Sequence, residues 1–474
     1  MCKYSKFCFI QILFLTLFSS FLSSQSYNIK VKINGYTNDT LLLGYHYGDK
    51  QYIRDTAYKK NNEFVFKGDT LLEPGMYLIV TKPDHNYAQV LVDKDKANFS
   101  IETKNIDLTK YATFKNSKLN TDFFDYITFV GEKRMAADSV GKKMQASADT
   151  AFKKKCELEL NKIDSEVKSH QEKVIKDQGK SLLATLINST KEVDLPEFKG
   201  TKDEIQEQNY KYYKAHYFDY MDFTDDRIVR LPFFQGKLDK YFANLIMQHP
   251  DSISKELDFL LSRCKGNNDV FKYILSTQLS AAANSKYVGM DGVYVHLVEN
   301  YYGKGLATWI DDESLAKIIR DANALKPLLI DKIAPDFVVY KKDSTPVRLH
   351  GINSEYIVLL IWAPDCSHCK KSMHHFVDFY EKYKSKGVEV LAICNKSGPE
   401  EKSCWEEKDF KLGNWINTSD PHGLSTYRYL YDVKSTPQVY ILDKNKKILT
   451  KKIAGEQIIE VMEKLFKIKE NESN

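Results

Sequence analysis

Trp362-Ala363-Pro364-Asp365-Cys366-Ser367-His368-Cys369-Lys370-Lys371 follows directly on the apolar run Tyr356-Ile357-Val358-Leu359-Leu360-Ile361. An unbroken apolar run of this length reads as a buried strand. It delivers two cysteines, one helical turn apart, to the start of a helix. A thiol at a helix N-terminus faces unpaired backbone N–H groups and the positive end of the helix dipole, which favours its thiolate. The second cysteine, three residues on, is within disulfide reach. Such a pair can cycle between dithiol and disulfide, so the layout is that of a redox site.

Around this stretch strands and helices alternate. Val388-Glu389-Val390-Leu391-Ala392-Ile393 predicts a strand, and a helix is expected around Glu400–Leu412. Trp415-Ile416-Asn417, a helical patch at Leu424–Leu430 and a strand at Gln438–Leu442 follow. A turn at Asp443–Asn445 leads to strand Lys447–Ile453 and a closing helix Gln457–Phe466. This order predicts a mixed sheet covered on both faces, an α/β module over residues 331–474.

Two other regions precede it. From Tyr27 to about Thr103 the apolar period is two, as in Tyr27-Asn28-Ile29-Lys30-Val31-Lys32-Ile33, with turns at Asn34-Gly35, Gly48-Asp49 and Asn61-Asn62. The expectation is a small antiparallel β-sandwich over 27–110. His46 and His85 are isolated there and read as surface or satisfied imidazoles rather than metal ligands. From about Lys115 to Leu329 the period becomes helical. Cys156, Leu160, Ile163, Val167, His170 and Val174 form one stripe, half of a helical hairpin, with Cys156 as a small buried hydrophobe. Further helices are expected around Glu207–Tyr220, Phe233–Met247, Ile253–Cys264, Val270–Ala283, Val293–Tyr302 and Glu313–Ala324, an all-α domain over 111–330. Its dense tyrosines and phenylalanines read as packing residues.

Composition narrows the function classes. The 474 residues are too many for one core, and 43% hydrophobic content fits globular domains rather than disorder. A net charge of +5 from 69 basic and 64 acidic residues is near balance, so no nucleic-acid partner is expected. Residues 1–26 read as a cleaved signal peptide: Lys3 and Lys6, an apolar stretch from Phe7 to Leu22, then Ser23, Ser24 and Ser26. The expected location is therefore exported, in the periplasm. Of the eight cysteines, Cys2 and Cys8 leave with the signal, and the six that remain are too few to staple a scaffold. Cys394 and Cys404 are open between a second disulfide and buried free thiols.

With the Ala334-Pro335-Asp336-Phe337 lead-in, the Cys366-Ser367-His368-Cys369 motif and Thr436-Pro437 before Gln438–Leu442, residues from about Ile333 to Lys469 resemble the thioredoxin fold. Within it they look most similar to TlpA/ResA-like thiol–disulfide oxidoreductases of the redoxin, or AhpC/TSA, superfamily. The whole layout resembles multidomain Bacteroidetes proteins in which a β domain and a helical domain precede such a module. The resemblance implies that Cys366 is the exposed nucleophile and Cys369 the buried resolving thiol of a redox-active disulfide. It implies that Pro437 is a cis-proline facing that disulfide, that the Thr436 backbone pairs with a substrate strand, and that Trp362 shields the disulfide edge. His368 would support the Cys366 thiolate. A potential between roughly −270 and −120 mV is then expected, toward its less reducing end. The implied partners are protein thiol or disulfide substrates and a membrane or periplasmic electron donor, with self-association through the first two domains also open. No cofactor or metal is implied.

One departure stands out. Family members commonly carry Glu three residues after the second cysteine, and this chain has Ser372. A ResA-like route for the resolving thiol's proton is thereby in doubt. His374 and His375 read as surface residues of the helix rather than a replacement base. Other readings are weaker. A zinc site lacks a second short-spaced pair. A thiol-dependent peroxidase would need Pro and Thr where Leu359 and Ala363 stand. A partner-binding or assembly protein with an accessory redox module would not need the complete cysteine pair and Thr-Pro loop.

Overall fold

The computed structural model describes residues 27–473, apart from 95–96, 265–267 and 407–410. The expected signal peptide over 1–26 lies outside the described residues. The chain forms two compact units. Of the described residues, one holds those up to Glu192 with Asp219–Asp222 and Arg227–Gln235; the other holds Val193–Phe218, Phe223–Asp226 and those from Gly236 onward. The helical stretch read from sequence as one domain is thus shared between the two units.

In the first unit, eight strands form two four-stranded sheets. They are β1 (Tyr27–Asn34), β2 (Thr40–Tyr47), β3 (Lys50–Tyr58), β4 (Phe64–Gly68), β5 (Gly75–Thr81), β6 (Tyr87–Val92), β7 (Asn98–Lys104) and β8 (Thr113–Lys115). The orders are β4-β1-β7-β8 and β3-β2-β5-β6. Ile29, Val31, Leu41, Leu43, Phe64, Phe66, Val90 and Ile101 share one core, which is why the period is two. Two details depart from the sequence reading. β1 and β7 run parallel, with Ile29 beside Phe99 and Val31 beside Ile101, so the sheets are not wholly antiparallel. Alternation fixes which face is buried but carries no information on strand direction. β3 went unread because it is an edge strand that leaves Tyr52, Ile53 and Tyr58 exposed.

Helices α1 (Lys118–Ala146) and α2 (Thr150–Gln178) form a hairpin, capped at their starts by Ser117 and Asp149. Cys156 is buried on α2, as its stripe implied. A short α3 (Leu182–Thr190) is almost wholly buried. Asn120, fully buried on α1, closes the edge of β6: its amide donates to the Leu91 carbonyl at 2.9 Å and accepts from the Leu91 N–H at 2.7 Å. A free sheet edge is thereby satisfied. His46 differs from expectation. It is buried, and its Nε2 finds no hydrogen-bond partner among the described residues.

The second unit begins with six helices: α4 (Lys202–His216), α5 (Phe234–Asn244), α6 (Pro250–Arg263), α7 (Asn268–Ala283), α8 (Asp291–Leu297) and α9 (Asp312–Leu325). Local signals set their ends. Thr201 and Glu204 form a capping box on α4, and Pro250 opens α6 where its missing N–H costs nothing.

The rest is a seven-stranded mixed sheet of β9 (Val338–Tyr340), β10 (Pro346–Arg348), β11 (Tyr356–Trp362), β12 (Val388–Cys394), β13 (Ile416–Ser419), β14 (Gln438–Asp443) and β15 (Ile448–Lys451). Its order is β10-β9-β13-β12-β11-β14-β15, with β13, β12 and β11 parallel and β14 and β15 antiparallel. Helices α10 (Ser367–Tyr383), α11 (Tyr427–Leu430) and α12 (Ile458–Ser473) accompany it. All seven residues of central β11 are buried. Val358, Leu360 and Trp362 pack on one face with Phe376 and Met462; Ile357, Leu359 and Ile361 pack on the other with Phe337 and Tyr431. Each large apolar side chain so buried contributes roughly 1.5–3 kcal/mol. Where a helix is expected over 400–412, Gly398–Trp405 is a 3-10 helix with Pro399 in its first turn, and residues 407–410 lie outside the described ones. The Lys451 ammonium, 2% exposed, bonds Asp291 of α8 and the Leu328 carbonyl, tying the helices of this unit to its sheet.

Candidate active site at the start of α10

β11 ends at Trp362, and four residues later Cys366 caps α10. The Cys369 N–H donates to Cys366 Sγ at 3.1 Å, so the first sulfur takes one of the orphan N–H groups of the helix start. Cys366 and Cys369 are joined as a disulfide with Cα atoms 5.2 Å apart. Cys366 is partly exposed and Cys369 is 2% exposed, which gives the two sulfurs unequal access. Trp362 is buried in the same core cluster as Cys369.

From the opposite side comes the loop before β14. The Thr436–Pro437 peptide is cis, and the Thr436 carbonyl oxygen lies 3.3 Å from Cys366 Sγ. The sequence-predicted residues Trp362, Cys366, Cys369, Thr436 and Pro437 therefore converge. His368 is exposed on the first turn of α10. His374 is exposed and His375 half-buried, 3.8 Å from Glu456.

Ser372 is buried one turn below Cys369. Gly455 packs directly against it: a Cβ at that position would stand 2.9 Å from Ser372 Cβ and 3.0 Å from its carbonyl oxygen. The space that a longer acidic side chain would need at 372 is thus taken by backbone. No carboxylate replaces it on this turn of α10.

One feature was left open by the sequence reading and two others escaped it. Cys394 and Cys404 form a second disulfide, Cα atoms 5.8 Å apart, with both residues buried. The alternative of free thiols is thereby set aside. Cys394 ends β12 beside Trp362 of β11, and Cys404 sits in the 3-10 helix that follows. Within the loop so closed, Lys396 Nζ reaches Asp365 at 2.8 Å and Glu400 at 3.1 Å. Lys396 holds the Asp365 carboxyl below the usual range, and its own pKa rises in return. A charged pair thus sits one residue before Cys366. Finally, Gln438, next to Pro437, has a buried side-chain carbonyl with no partner among the described residues. Its position directly after the Thr-Pro pair was the one available signal. No group of three or more metal-ligating side chains occurs among the described residues.

A seven-stranded mixed sheet with a Cys-x-x-Cys at the end of its central strand and a cis-proline loop facing the disulfide defines a thioredoxin-fold thiol–disulfide oxidoreductase. Comparison with known proteins agrees. Residues 330–451 match the AhpC/TSA family, while 27–123 and 154–325 match two domains of unknown function, DUF4369 and DUF5106. The thiol–disulfide oxidoreductase ResA of a Bacillus cereus strain is 30% identical over 140 residues, covering 28% of this chain and 75% of that protein. ResA of Bacillus anthracis is 28% identical over 144 residues, covering 29% and 77%. Through its C-terminal module the chain belongs to the TlpA/ResA-like thiol–disulfide oxidoreductases. Among solved structures, a thioredoxin-like protein from Bacteroides caccae aligns over 57% of this chain and 98% of its own, with 21% identity and a TM-score of 0.45. A domain of a possible thiol-disulfide isomerase from Cytophaga hutchinsonii covers 31% of this chain and 98% of its own, with 29% identity and a TM-score of 0.28.

Proposed function

We propose that this protein exchanges disulfides with protein substrates outside the cytoplasm through Cys366 and Cys369. The observation that carries this reading is the unequal exposure of the two sulfurs beside the Thr436 carbonyl. In the reducing direction the Cys366 thiolate attacks one sulfur of a substrate disulfide. That S–S bond breaks, a mixed disulfide forms, and the leaving thiolate takes a proton. Cys369 then loses its proton, attacks Cys366 Sγ and releases the second substrate thiol. Two electrons pass to the substrate, and the pair is left as the disulfide. A membrane or periplasmic dithiol donor returns it to the dithiol. Run backward, the same steps oxidise a substrate.

The helix start, His368, Lys370 and Lys371 support the Cys366 thiolate and a moderately oxidising couple. With Ser372 in place of a carboxylate, the Cys369 proton leaves to water or to the departing substrate thiolate. The apolar stretch Phe7–Leu22 supports export, and among the described residues no helix is long and apolar enough to cross a membrane.

The test is trapping. Cys369→Ser should accumulate mixed disulfides through Cys366, and Cys366→Ser should accumulate none. Absence of trapped partners together with absence of disulfide reductase activity would overturn the reading. Turnover of hydrogen peroxide with Cys366 as the only required thiol would favour a peroxidase instead.

A further inference from the structure

A groove of about 470 Å3 opens beside the dithiol, between the first turns of α10 and the β14–β15 hairpin. Its floor is apolar, built from Pro437, Val439 and Ile453. Its rim is basic: His368 and Lys371 from α10, and Lys452 just after β15. Thioredoxin-type exchange needs a cleft for the substrate chain, but it does not need two lysines and a histidine around it.

These side chains are not engaged inside the protein. The side chains of His368, Lys371 and Lys452 make no hydrogen bond or ion pair with any described residue, and His368 and both lysines are exposed. The single acidic residue lining the groove, Glu456, faces His375 at 3.8 Å. The groove therefore presents a net positive rim over an apolar floor. Gln438 also lines the groove, and its side-chain carbonyl oxygen is buried without a donor among the described residues.

We propose that this groove selects the chain segment next to the substrate's reacting cysteine, and that the segment it takes carries an acidic side chain beside an apolar one. The apolar side chain covers Val439 and Ile453, and the carboxylate lies between Lys371 and Lys452 with His368 beside them. This rests on the exchange reading above and names the substrate class for it. Lys371 and Lys452 are specificity-determining residues; they touch the flank of the substrate, not the sulfurs.

Two cystine peptides of equal length, one with Asp-Leu and one with Lys-Leu flanking the cystine, provide the test, with oxidised 2-mercaptoethanol as a flankless disulfide. The wild-type protein should show kcat/KM for the acidic peptide about fivefold to tenfold above that for the basic one at low salt, falling toward parity at about 0.5 M salt as screening sets in. In Lys371→Glu/Lys452→Glu the ratio of the two peptides should invert. Because the readout is a ratio within one protein, altered reactivity of Cys366 cancels. Equal kcat/KM for both peptides in the wild type, or a preference that survives the charge reversal, would overturn the groove assignment. Failure of the wild type to exchange with oxidised 2-mercaptoethanol would overturn the exchange reading itself.

Discussion

Lys396, two residues beyond β12, holds the carboxylate of Asp365, the residue before Cys366, at a distance of 2.8 Å. The pair places opposite charges beside a thiol whose chemistry depends on its thiolate. Asp365 alone would oppose a thiolate at Cys366; Lys396 offsets it. Lys396→Met should therefore raise the Cys366 pKa by about half a unit, and Asp365→Asn should lower it by a similar amount, both effects shrinking in salt. The pH dependence of iodoacetamide alkylation in the reduced protein reads this directly. Opposite signs for the two variants are essential to the account.

The Cys394–Cys404 bond closes the loop that carries Lys396. Closing a loop of this length constrains the unfolded chain by about 2–3 kcal/mol in the chain-entropy account. Cys394→Ala/Cys404→Ala should lower the denaturant stability of the second unit by that amount. Exchange through Cys366 and Cys369 should persist, since neither Cys394 nor Cys404 is exposed for attack.

Burial pushes the Lys451 ammonium pKa down, and Asp291 opposes that shift. Removing one partner leaves an uncompensated buried charge. Asp291→Ala should cost about 3–5 kcal/mol, whereas Asp291→Leu with Lys451→Met should cost far less. A double-mutant cycle by urea unfolding measures the difference.

His46 supplies a pH dependence. Burial lowers its pKa in the folded protein, so the unfolded chain binds the proton more readily. Its stabilising share is fully present above about pH 6.5, the unfolded value, and is lost as the pH falls from there toward the folded pKa. His170, also lowered by burial, acts in the same sense. His46→Phe should show its largest relative gain in stability at pH 5.5 and its smallest at pH 8, measured by denaturant melts of the full chain.

Gly455 is required by close approach to Ser372, not by its φ. Gly455→Ala should cost about 1–3 kcal/mol, because the added methyl meets a backbone oxygen at 3.0 Å. The drop in thermal midpoint checks it, and Gly413→Ala offers a comparison where the obstacle is the Trp415 side chain.

The site was legible in sequence to the extent that its parts are local. Strand Tyr356–Trp362, the helix start at Cys366 and the Thr436-Pro437 pair each carry their own signal within a few residues. α6 was legible for the same reason, through Pro250, whereas α4, expected around Glu207–Tyr220, begins at Lys202 behind a capping box of Thr201 and Glu204 that went unread. Edge strand β3 was not, since burial supplies no period on an exposed strand.

The sequence by itself determined the two thiols, their place after a buried strand and at a helix start, the Thr436-Pro437 pair and the absence of a carboxylate at Ser372, because these depend on short-range pattern and residue identity. Only the tertiary structure decided what is long-range. It paired Cys394 with Cys404, set Lys396 on Asp365 and turned β1 parallel to β7. It also brought Lys371 and Lys452, far apart in the chain, to one groove with Gln438. Those relationships follow from how strands and loops pack, and hydrophobic periodicity specifies which faces are buried without specifying which neighbours meet.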